Sequence, residues 1–155
     1  LAEWPWLADV ARLEVAWNEA HHAAEAAPIG LGDLAAVDPA MLAESRVVLH
    51  PSLRLLASPW PVATIWDANG EVDTVEAVGE HLMIVRPSAD VVVHPVDAAG
   101  FGFVTELAAG RSVTDAAAAA LDIDAGFAAG DHLIGLVRLG AVVAFEPVSA
   151  EEIAA

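Results

Sequence analysis

Histidines and carboxylates are the groups through which this chain could do chemistry: six His and 23 Asp plus Glu stand beside six Arg, with no Lys, Cys or Tyr. Their densest grouping is Glu14, Asn18, His21, His22 and Glu25. Glu14 and His21 lie seven apart and His22 and Glu25 three apart, spacings that bring side chains to one helix face, where imidazole and carboxylate together suit a transition metal. A histidine four residues after Trp17 fits a packed ring equally well. The other histidines, His50, His81, His94 and His132, stand singly, so a second ligand cluster is missing and no metal is expected. His50 and Ser52 offer a base beside a hydroxyl with no third member. No Gly-x-Ser-x-Gly elbow, His-Glu-x-x-His run or phosphate loop occurs, and Gly100-Phe-Gly102 lacks the third glycine of a dinucleotide fingerprint. The chain is therefore expected not to be an enzyme and to carry no cofactor of its own.

Charge and hydropathy narrow the partners. The balance of six Arg against 23 acids, a net −17, repels phosphate backbones and anionic membrane surfaces, so neither nucleic acid nor membrane is expected. Although 57% of residues are hydrophobic, the longest stretch free of Asp, Glu and Arg runs from Leu55 to Trp66 with two prolines inside it, well short of the ~20 residues a spanning helix needs. No basic-then-apolar leader follows Leu1, and a cytoplasmic chain is expected.

The elements that must position these groups are marked by proline, glycine and caps. Pro5 and the recurrence of Leu7, Val10, Leu13, Trp17 and Ala24 predict a helix over 5–26. Pro28, Gly30 and Gly32 end it, and Asp38-Pro39 starts a short helix through Ser45. Arg46–His50 and Leu53–Leu56 read as strands, and Pro61 opens a compact helix closed by Asn69-Gly70. After an acidic linker, Leu82–Arg86 and Val91–His94 form a hairpin. Helices follow over 98–109, capped by Asp97, from Ser112 to Leu121, and from an Asp124 cap to Leu139, before a strand at Ala141–Phe145. The expected class is α+β. A long N-terminal helix with a strand and helix module fills residues 1–76, and a winged-helix-like β-hairpin and three-helix unit fills 77–155.

The third of those helices is apolar on two sides: Phe127, Gly130, Ile134 and Val137 form one row and Leu133, Leu136 and Leu139 another. Either the N-terminal helix or a neighbouring chain covers the second row, or the helix and the strand at Val91–Val96 form a groove that takes an extended peptide by adding it to the sheet edge. The groove reading selects Val91, Val93, Pro95, Leu133, Leu136 and Val137 as peptide-binding residues. A winged-helix DNA-binding transcriptional regulator is the alternative, but its recognition helix would carry Asp124 and Asp131 where cations are needed.

The strings ADVARLEVAWNEAHHAAEAAP and RVVLHPSLRLLASPWPVATIWDAN resemble the middle segment of the HvfC/BufC-type partner proteins of multinuclear non-haem iron oxidative (MNIO) enzymes. The stretch VVVHPVDAAGFGFVTELAAGRSVTDAAAAAL resembles a PqqD-like peptide recognition element of ribosomal-peptide (RiPP) biosynthesis, in which a leader peptide lies along the last strand and the third helix. The resemblance implies a non-catalytic subunit that binds an iron-dependent TIM-barrel oxidative enzyme and recruits a precursor peptide for cysteine modification. The products of such systems are often copper-binding, as in the bufferins, which links them to copper homeostasis. Iron would belong to the partner enzyme. Family members usually begin with a further helical domain that these residues do not match, which puts any function of that domain outside this sequence. Arg46, His50, Arg54, Trp60 and Trp66, aromatics and arginines around a proline-rich turn, are then the expected enzyme interface, against the alternative that Trp66 is core and His50 caps a turn.

Overall fold

Residues 4–69, 72 and 74–148 are described by the computed structural model, which has seven helices and five strands among them. The order is α1 (Leu7–His22), α2 (Leu31–Ala36), α3 (Pro39–Ala43), β1 (Ser45–Leu49), β2 (Arg54–Ser58), α4 (Val62–Asp67), β3 (Glu80–Val85), β4 (Val92–Val96), α5 (Ala98–Ala108), α6 (Val113–Ile123), α7 (Ala129–Arg138) and β5 (Val142–Pro147). The class is α+β, as the sequence predicts. Gly70 of the expected helix stop, Glu71 and Asp73 of the expected linker, and residues 149–155 of the second expected unit lie outside the described residues. No described helix is long and apolar enough to cross a membrane.

Two antiparallel sheets organise the chain. β2, β3 and β4 form one in that order, and β1 pairs with β5 in the other, from Ser45 opposite Pro147 to Leu49 opposite Val142. Both sheets pair strands from either side of position 76/77, where the sequence reading divides the chain. The closing strand correspondingly joins β1 rather than the hairpin. β3 is covered on both faces, as its unbroken apolar run requires. Leu82 and Ile84 meet Leu13 and Ala20 of α1 on one side, while Met83 and Val85 join Phe103, Leu107, Leu133 and Leu136 of the main core on the other.

Local chemistry sets most helix ends. Asp38 accepts from the N–H groups of Ala40 and Met41, Asp97 from Gly100 and Ser112 from Asp115, all as the caps predict. Gly110 and Gly140 close α5 and α7 at positive φ. Three helix expectations are corrected. α1 stops at His22 instead of residue 26, because the Arg86 guanidinium takes the Ala20 and Ala23 carbonyls and the chain turns extended at Ala23. α2 occupies the segment read as a break; the Gly30 N–H donates to Asp33 Oδ2 at 2.8 Å, and the Ile29 N–H bonds the Val142 carbonyl. Asp124 does not cap α7. It ends α6 and holds the Gly126 N–H in an Asx turn, which carries Phe127 onto Phe103 before α7 begins at Ala129.

Candidate functional site

β4 is an edge strand, and no described strand pairs with its outer side. α7 runs beside it in the opposite direction. At one end His132, in the first turn of α7, lies 3.8 Å from Asp97 just beyond β4; at the other, Gly140 meets Pro87 in the turn that leads into β4. Between them runs an open groove of about 330 Å³. Its apolar part is made by Met83, Val96, Val104, Leu136 and Leu139, and its polar part by His94, Asp97, Asp131 and His132. Asp97 is fixed by its cap to Gly100, and the His132 ring is fixed by Phe127 at 4.3 Å and by the Ala128 carbonyl at 3.1 Å from Nδ1.

Of the six residues expected to bind peptide, Pro95 and Leu136 line this groove. Leu133 and Val137 do not: they are buried in the main core. Val91 and Val93 pack with the α1-side cluster instead. Strand alternation is the reason, since Val93 pairs with Ile84 and shares its face, whereas His94 pairs with Met83 and shares the face of α7. All the other groove residues were missed by sequence reasoning, among them His94, Val96, Asp97, Asp131, His132 and Gly135. For His94 and Val96 the signal that could have found them is the register opposite β3, which pairs His94 with Met83 and Val96 with His81. α7 also packs on α2, and Leu34 of α2 and the preceding Ile29 join the main core, while Leu136 and Leu139 of the second apolar row border the groove.

The five expected enzyme-interface residues are not one surface. His50 is only 2% exposed: its Nδ1 accepts from the Ser52 hydroxyl and N–H, and its Nε2 donates to the Ala26 carbonyl, which fixes the neutral Nε2–H tautomer. Ser52 is fully buried and its Oγ accepts from the Arg86 N–H, so this pair joins chain segments and is closed to a substrate. Arg46 pairs with Glu146 and, with His50, borders a hollow beside Leu49 and Leu107. Arg54 bonds Glu19 at 2.8 Å along α1. Trp66 lies elsewhere, beside Trp6, Leu7 and Val10 and 6.4 Å from Trp17, and Trp60 packs on the same α1-side cluster.

The histidine and carboxylate cluster on the first helix is also dispersed. His21 stacks on Trp17 at 5.3 Å, His22 Nδ1 bonds the Asn18 carbonyl, and Glu25 lies beyond α1 and pairs with Arg86. No group of three or more His, Asp or Glu with metal-binding geometry occurs among the described residues. Comparison with protein-family models, with curated proteins and with solved structures returns no match.

Proposed function

We propose that this chain is a non-catalytic partner subunit that recruits the leader of a ribosomally synthesised precursor peptide to an iron-dependent peptide-modifying oxidase. The observation that carries the reading is the free edge of β4 beside the β4–α7 groove. An extended peptide added there gains main-chain hydrogen bonds from the strand and places alternate side chains against Val96, Leu136 and Leu139. The edge holds Pro95, which lacks an N–H and is tolerated only where the ladder ends. The β3–β4 hairpin followed by α5, α6 and α7 has the element order that the PqqD-like resemblance implies, which supports the reading. The cysteine chemistry and the iron belong to the enzyme, in the cytoplasm.

DNA binding is the weaker reading. α7, the helix that would enter the groove of DNA, has Asp131 in its first turn and Arg138 only at its far end, and α2 and β4 pack along it.

The test is direct. A fluorescein-labelled leader from a cysteine-containing precursor encoded beside an iron-dependent barrel enzyme should raise its anisotropy on titration with this chain. Amide exchange should slow across Val92–Val96 in the complex. An unchanged anisotropy at saturating protein, or protection confined to other elements, would refute peptide recruitment at this edge.

A further inference from the structure

Gly135 poses a physical question, because it sits in the middle of α7, where glycine costs about 1 kcal/mol relative to alanine. Neither backbone nor packing requires it. Its φ is not positive, and a Cβ built on it would meet no atom within 4 Å. Gly100 and Gly140 differ, since a Cβ there would stand 2.6 Å from Val96 and 2.5 Å from Pro87. What the missing side chain at Gly135 leaves is room, and that room is the wall of the β4–α7 groove between His132 and Leu139. The same groove is charged at one end only. Asp97 and Asp131 stand there beside His132, with Asp97 68% exposed, and apart from His94 the remainder of the wall is apolar.

We infer that the groove selects an extended peptide with a large apolar side chain seated over Gly135 and a lysine or arginine at the Asp97–Asp131 end. The inference rests on the peptide-binding reading above and adds its sequence requirement. Charge complementarity argues for this occupant: two carboxylates at the rim, on a chain of net charge −17, favour a cation and disfavour an acid at that position. The apolar wall rewards burial of one aliphatic or aromatic residue a few positions away along the strand.

Synthetic fluorescein-labelled peptides of β-branched sequence, each with one Phe and with Lys, Ala or Glu at the flanking position, test this by anisotropy. The Lys peptide should bind at least about tenfold more tightly than the Glu peptide at low salt, with the gap narrowing as salt rises. The double variant Asp97→Asn, Asp131→Asn should erase the gap, and because Asn caps a helix as well as Asp does, α5 should stay intact. Gly135→Leu fills open space and improves helix propensity, so it should keep or raise the thermal midpoint while weakening every peptide by about tenfold or more. Equal affinity for Lys and Glu peptides overturns the charge requirement, and undiminished binding by Gly135→Leu overturns the seat. Either result leaves recruitment of the natural leader standing, since that is read separately with the gene-neighbour peptide. Failure of all the synthetic peptides in a protein that binds that leader overturns the stated sequence requirement.

Discussion

Arg86 ties three segments of the chain together. It is buried at 6% exposure; its Nε and Nη2 reach the Ala20 and Ala23 carbonyls at the end of α1, and its Nη1 reaches Glu25 and the Ser88 carbonyl, each of the three Nη bonds being 2.8 Å. The carbonyls of a helix end have no partner within the helix, and a guanidinium offers several donors in a rigid fork. Truncation of this buried side chain would strip several charge-assisted bonds, one of them from the carbonyl of buried Ala20, so Arg86→Ala should cost about 2–4 kcal/mol in urea denaturation. Arg54→Ala is the control. Its pairing with Glu19 is half exposed and its other bonds reach only the nearby Pro51 and Leu53 carbonyls, so its loss should cost less than Arg86→Ala, about 1 kcal/mol. Equal effects of the two would mean that Arg86 does not anchor α1. Nothing in the sequence marks Arg86 out, because its helix partners lie 61 to 66 residues away. His50 takes the turn-capping role that the sequence left open beside the interface one: its Nδ1 accepts from the Ser52 N–H, and the Ala26 carbonyl, 24 residues earlier, closes over its other nitrogen.

Among elements, legibility followed the range of the determining interaction. The caps at Asp38, Asp97 and Ser112 and the glycine stops at Gly110 and Gly140 act within a few residues, and each helix they bound was readable. α2 was not. Its six residues between Gly30 and Val37 are too few to show a period, and its place is set by a bond from Ile29 to β5 and by contact with α7. The doubly apolar α7 did signal two covered sides, but not which element covers each. Leu34 is the half-buried apolar residue that α2 contributes there. Leu34→Asp should therefore lower stability by about 1–3 kcal/mol and raise binding of the dye ANS as α2 lifts from α7. An unaltered melting curve with no added dye fluorescence would show that α2 is not the cover. The groove on the other side was legible as a location and not in its residues, since one strand position exchanges Val93 for His94.

At the scale of the molecule, the chain closes on itself across its acidic linker. Ser45 pairs with Pro147, and Ser58 pairs with Glu80 across the acidic segment, so each sheet needs strands from both halves. A shift in composition can mark a connection, but which strands meet depends on packing that no local pattern encodes; that is why the α+β class was readable and the sheet topology was not. The α1-side cluster makes the dependence concrete: Leu13, Ala20, Leu56 and Val62 from the first half are completed by Leu82 and Ile84 from the second. All five tryptophans, Trp4, Trp6, Trp17, Trp60 and Trp66, lie in residues 1–76, so their fluorescence reports that half alone. As a separate fragment, 1–76 loses the cover of β3 on α1 and β2, and its tryptophan emission should shift to the red of the intact chain. Adding the tryptophan-free fragment 77–155 should restore the blue emission together with strand circular dichroism, and the restoration should strengthen with salt, which screens two acidic fragments from each other. If fragment 1–76 alone already shows the emission of the intact chain and does not respond to its complement, the two halves fold independently and the shared-sheet account of the molecule fails.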